Sequence, residues 1–280
     1  MPIDALLRQR MVDVATAEWR RFNFPVTDHR KRDLMRVVVP DSGPLIPAKF
    51  NAKMPGIARQ ALRLGWMEDD RQVRRAIGGY WTSVPGQNAL QVQSVIFAQF
   101  PDAGWAHPWS AAFLSYVMCS AGVGDMEKFQ RADGHWAYVD QAIATANGAA
   151  NGIFKATDVD SGLPAPGDFI CADRADTEQP YRNLADRRGK TGFRAMHCDL
   201  VVRVVAGKRG YVAAIGGNVV QAVSMTLVSL RPGAMAGTYR LETAADIPSA
   251  RPWFTILRLQ APGSALLEAS PAVRSLPPAN

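Results

Sequence analysis

The sequence is poor in the residues that build disulfide scaffolds and metal clusters. It holds only 3 cysteines in 280 residues, Cys119, Cys171 and Cys198. That number is odd and too small for a disulfide framework, and no C-x-x-C pair marks a zinc or redox site. Reduced thiols are therefore expected. Cys171 and Cys198 lie in two apolar runs that read as neighbouring strands, so a bridge between them stays open in an oxidising compartment. No cofactor and no metal is expected.

Other absences narrow the class further. No apolar run is long enough to span a bilayer, and there is no internal repeat or extended low-complexity segment. The first residues carry Asp4 and repeated arginines where a secretory signal has a basic start followed by an apolar stretch. The expectation is a protein made in the cytoplasm that stays there unless something other than the general secretion pathway exports it. Acidic side chains are outnumbered, 25 Asp and Glu against 32 Lys and Arg, for a formal net charge of +7. This excess favours anionic surfaces such as nucleic acid, lipid or cell-wall polymer, without choosing among them. Its clusters are short (Arg30-Lys31-Arg32, Arg74-Arg75, Arg187-Arg188), and no nucleic-acid motif accompanies them, so no specific nucleic-acid partner is expected. A hydrophobic content of 48% with 20% charged residues excludes wholesale disorder.

Periodicity divides the chain into a helical first part and a β-rich second part. Ile3, Leu6, Leu7, Met11, Val14 and Ala17 follow helical spacing over residues 3–22. A proline-rich, basic stretch to about residue 55 reads as an irregular loop, and short helical patterns occupy roughly 56–67, 69–78 and 87–98. His107-Pro108-Trp109-Ser110 then leads into an apolar run that stops at Gly122; proline suits a first helical turn and glycine a helix end. A further helix is expected over 134–146. From Pro166 the texture is β, with strands at 169–171, 198–205, 211–215, 219–223, 225–230 and 253–259. Helices first and an antiparallel sheet afterwards predict an α+β chain. The expected organisation is a helical N-terminal extension over 1–100 packed on a core over 101–262, with a loose tail over 263–280.

Two residues suggest chemistry. Ser110 sits in the first turn of a largely buried helix, where unpaired N–H groups and the helix dipole stabilise negative charge on a nucleophile or an oxyanion. His197 opens a strand, and a histidine within reach of the hydroxyl would take its proton. On pattern alone a serine at a helix start is more often a cap. His107 and His135 are alternative partners, and His29, in a basic loop, is the weakest.

The motifs also carry a resemblance. Pro108-Trp109-Ser110-Ala111-Ala112-Phe113 resembles the Pro-Trp-Cys-Ala-Ala-Phe helix of CHAP-type amidases, with serine in place of cysteine. Pro166-Gly167-Asp168-Phe169-Ile170 resembles their "PGDxV" strand, His197-Cys198-Asp199-Leu200-Val201-Val202 their histidine-bearing strand, and Ile215-Gly216-Gly217-Asn218-Val219 the strand after it. The serine version, with Glu18-Trp19, Tyr80-Trp81 and the His-Cys-Asp triplet, is similar from about residue 12 to residue 260 to a bacterial domain-of-unknown-function family, number 2272, of the same papain-related NlpC/CHAP superfamily. The resemblance implies a papain-like core with a helix carrying the nucleophile on an antiparallel sheet. It implies Ser110 as nucleophile, His197 as general base, and either Asn218 or Asp199 orienting the imidazole. Asn218 matches the superfamily position, whereas Asp199 shares a strand face with His197 and suits the harder deprotonation of an alcohol. Cys119 is more than two helical turns from Ser110 and does not replace the thiol.

The implied activity is hydrolysis of amide bonds in peptidoglycan stem peptides or cross-links, with lipid or ester hydrolysis as an alternative chemistry. By analogy it extends to an antibacterial effector delivered by a secretion machine such as type VI and neutralised by an immunity protein. The rival class is a cell-wall binding module that holds its ligand without cutting it, and a serine introduced in place of a native cysteine is a third explanation.

Overall fold

The computed structural model describes residues 4–30, 37–38, 61–63, 65–175, 179–244, 246 and 251–274. The chain is α+β, as the change of periodicity near residue 166 predicts. Its sheet has the order β2 (Val37–Val38), β3 (Ala61–Arg63), β1 (Val26–Asp28), β8 (Ala222–Pro232), β7 (Tyr211–Val219), β6 (Met196–Val205), β5 (Phe169–Asp173), β10 (Trp253–Leu259), β4 (Phe154–Asp158), with β9 (Tyr239–Leu241) paired to β8. Strands β4 to β8 and β10 pair antiparallel, but β1 joins β8 in parallel, so the sheet is mixed and not purely antiparallel. The helical pattern expected over 56–67 is corrected where it is described: 61–63 is strand β3. Most of the loop expected before residue 55 lies outside the described residues.

Helix α1 spans Leu7–Arg21, α2 Arg71–Trp81, α3 Ala89–Gln99, α4 Ser110–Ser120, α5 His135–Ala146 and α6 Pro271–Arg274. Alternation along the strands gives the sheet two buried faces. Phe169, Cys171, Cys198, Leu200, Ala213 and Ile215 face a large core shared with α1, α2, α4 and α5. The residues between them, Ile170, Ala172, Val201, Val212 and Ala214, face a second core with Trp253 and Ile256.

The helical first part is tied into this core. Arg8 of α1 reaches the buried Asp168 at 3.0 Å and also donates to the carbonyls of Leu259 and Ala261. Asp168 in turn accepts the Leu259 and Ala165 amides, so one carboxylate joins α1, the turn before β5 and the end of β10. The end of the chain, expected to be loose, is packed as far as residue 274: α6 lies against α1, and Ala265, Leu267 and Ala272 are buried.

Candidate functional site

Ser110 is the first residue of α4, and the residue before it is held from several sides. The buried Trp109 indole donates to Glu68 at 2.8 Å, while the Trp105 amide donates to the other oxygen of that carboxylate. Tyr80 of α2 packs on both Trp109 and Phe113, with ring centroids 5.8 and 5.4 Å apart, and its hydroxyl donates to Glu18 of α1. Elements from the first hundred residues thus set where the helix starts. The N–H groups of its first turn have no intrahelical acceptor, and no side chain caps them.

The Ser110 hydroxyl lies 2.7 Å from Nε2 of His135, the first residue of α5. Nδ1 of the same ring meets the Tyr138 hydroxyl, one turn further along α5, and accepts the Cys198 amide at 3.2 Å. A backbone amide can only donate, so Nδ1 carries the lone pair and Nε2 the proton. In this arrangement Ser110 Oγ accepts a hydrogen bond from His135. Burial pushes the His135 pKa well below the usual histidine value, and the nearby His197 and Arg174 push it the same way, so the ring is neutral at pH 7. Burial also raises the Tyr138 phenol well above 10, which keeps it protonated.

His197 and Asp199 meet each other but not Ser110. His197 Nε2 is 2.6 Å from Asp199 Oδ1, and Asp199 Oδ2 is 3.4 Å from Arg251. Burial alone would raise the Asp199 pKa; His197, then Arg251 and His29, outweigh it and hold the carboxylate ionised. It therefore accepts a hydrogen bond from Nε2 of His197, whose other nitrogen, Nδ1, has no hydrogen-bond partner among the described residues. His197 sits opposite Ala172 in the ladder and Asp199 opposite Ile170, on the sheet face away from α4. The pairing expected between Ser110 and His197 is not formed. The two-residue period that brings Asp199 beside His197 also turns both away from the helix, and His197 meets the serine's partner only ring to ring, with the His135 and His197 ring centroids 5.2 Å apart. Room for this pair comes from Gly216 on β7, where a Cβ would lie 1.7 Å from Asp199 Oδ1.

Ser110, His135, Asn218 and His107 line one cleft of about 820 Å³, whose walls also include Trp81 and Arg174. Asn218 makes no hydrogen bond to either histidine. It lies at the tip of the β7–β8 hairpin, where Asn218, Val220 and Gln221 all have left-handed φ values of 55°, 54° and 59°. That conformation is unusual for a β-branched valine, and all three residues border the cleft. His107 stands edge-on to Trp81. His29 follows β1, close enough to Asp199 to act on its charge. Tyr138 and Arg174 were not singled out from the sequence. The i, i+3 spacing of His135 and Tyr138 is a helix-face signal for the first; nothing local marks the second.

Cys171 and Cys198, directly opposed on β5 and β6, form a disulfide, which corrects the expectation of reduced thiols, and Cys119 is free and exposed. Among the described residues no group of three or more His, Cys, Asp or Glu side chains is placed to hold a metal, and no helix is long and apolar enough to cross a membrane. Fold and site define an α+β protein with a Ser-His pair at the starts of two helices, opening onto a cleft. The chain belongs to the bacterial family described as "Uncharacterized protein conserved in bacteria" (DUF2272), whose profile matches residues 68–259. Comparison with curated proteins and with solved structures returned no match.

Proposed function

We propose that the protein is an acyl hydrolase acting on amide bonds of peptidoglycan, with Ser110 as nucleophile and His135 as the group that takes and returns its proton. The observation that carries this reading is the 2.7 Å contact between the Ser110 hydroxyl and a buried histidine nitrogen, at a helix start that opens onto a cleft. Oγ would bond to the acyl carbon while its proton passes to Nε2; the leaving amine takes that proton, and water then hydrolyses the acyl-serine. The free N–H groups of the α4 first turn suit the oxyanion. For this step Nε2 must give up its resting proton, and the Tyr138 oxygen is placed to accept the Nδ1 proton of the other tautomer. The ordered motifs, and a nucleophile helix packed on the antiparallel strands β6 and β7, support assigning the fold to the papain-related NlpC/CHAP group. The disulfide favours work in an oxidising compartment, of which the periplasm of a target cell holds peptidoglycan. Delivery there by a secretion machine, with an immunity protein guarding the producer, extends the reading by analogy.

Mass spectrometry of purified peptidoglycan incubated with the protein tests the proposal. New stem-peptide fragments that vanish in Ser110→Ala support it. A second reading, a cell-wall binding module, is favoured by the Cys198 amide on Nδ1, which leaves His135 a donor and not a base at rest. Unchanged muropeptides alongside measurable binding would select it.

A further inference from the structure

Two guanidinium groups line the cleft beside Ser110 and His135, and they differ in one respect. Arg194 is fully engaged: it grips the buried Asp173 carboxylate through two nitrogens and lies over the Tyr181 ring. Arg174, immediately after Asp173 in the chain, is exposed, and its side chain makes no hydrogen bond or ion pair among the described residues. Among the described residues, the acid beside it in the chain, Asp173, is already taken by Arg194. Its charge reaches both His135 and His197, lowering their pKa values.

An unpaired guanidinium at the edge of a cleft, close to the reacting pair, is a docking point for a planar anion, because its fork of N–H donors matches a carboxylate. We propose that Arg174 forms a carboxylate-binding subsite, so that the favoured ligand carries a free carboxylate next to the group presented to Ser110. As a statement about substrate this rests on the hydrolase reading above; as a statement about binding it does not. Peptides ending in a free α-carboxylate fit the subsite, and their amides do not.

The test uses the full chain carrying Ser110→Ala, so that no turnover intervenes, and calorimetric titration with acetyl-D-alanyl-D-alanine and with its C-terminal amide. The acid is expected to bind at least about tenfold more tightly than the amide, in line with one charge-assisted hydrogen bond. Adding Arg174→Gln should remove the difference, and Arg174→Lys should restore part of it, since a point charge replaces the fork. Equal binding of acid and amide, a preference that survives Arg174→Gln, or no binding of either peptide would overturn the proposal. Hydrolysis of peptidoglycan by the unmodified protein is scored separately, so failure of the subsite and failure of the hydrolase reading are told apart.

Discussion

Breaking the Cys171–Cys198 bridge perturbs the sheet at the strand that holds Cys198 against His135. The two cysteines are 27 residues apart in sequence, and loop-closure entropy for a link of that span corresponds to about 3.5 kcal/mol at room temperature. Both residues are fully buried, so the reduced protein must also accommodate two thiols between the sheet and the helices. With a urea slope of about 3 kcal/mol per molar, the unfolding midpoint should fall by roughly 1 M when a phosphine reductant is present. Thiol titration of the unreduced chain in denaturant gives the matching count: Cys119 alone should react. Coincident urea curves with and without reductant, or three reactive thiols before reduction, would refute the reasoning. If the bridge also anchors the Cys198 amide, the His135 imidazole signals should shift on reduction.

Further outcomes are expected at the two histidines and around them. Burial depresses the pKa of both His135 and His197, so below about pH 6.5 the unfolded chain binds protons that the folded one refuses. Stability should therefore fall as pH drops from 7.5 to 5.5, with a limiting slope of about 1.4 kcal/mol per pH unit for each ring; denaturation midpoints that are flat or rise over that range contradict it. Long-range nitrogen–proton NMR should find His135 neutral with its proton on Nε2 near pH 7, and an Nδ1-protonated or doubly protonated ring would show that the Cys198 contact does not set the tautomer. Gly216→Ala would drive a methyl into Asp199 Oδ1 and should cost about 3 kcal/mol or more, whereas Gly148→Ala, in open space at a helix end, should cost less despite its positive φ; equal losses in thermal unfolding would remove the close-approach argument.

How much was legible in the sequence follows from the range of the forces involved. Period-3.6 spacing placed α1, short apolar runs placed β5, β6 and β10, and Pro108 with Gly122 bounded the apolar helix that begins at Ser110; these are local preferences that a single segment carries. The closeness of His197 to Asp199 was equally readable, because the two-residue period depends only on the strand itself. Which face that strand turns toward α4 was not, since it depends on how β5, β6 and β7 pair and on where the helices settle. Tertiary packing alone brought His135 to Ser110 across a separation of 25 residues, set Cys198 between the ring and the disulfide, and, among the described residues, left Arg174 without an ion-pair partner by assigning Asp173 to Arg194. The sequence by itself determined the α+β class and a serine at a helix start; the partner of that serine was decided by the sheet's register and by helices packed from distant parts of the chain, because contacts of that kind have no local signature.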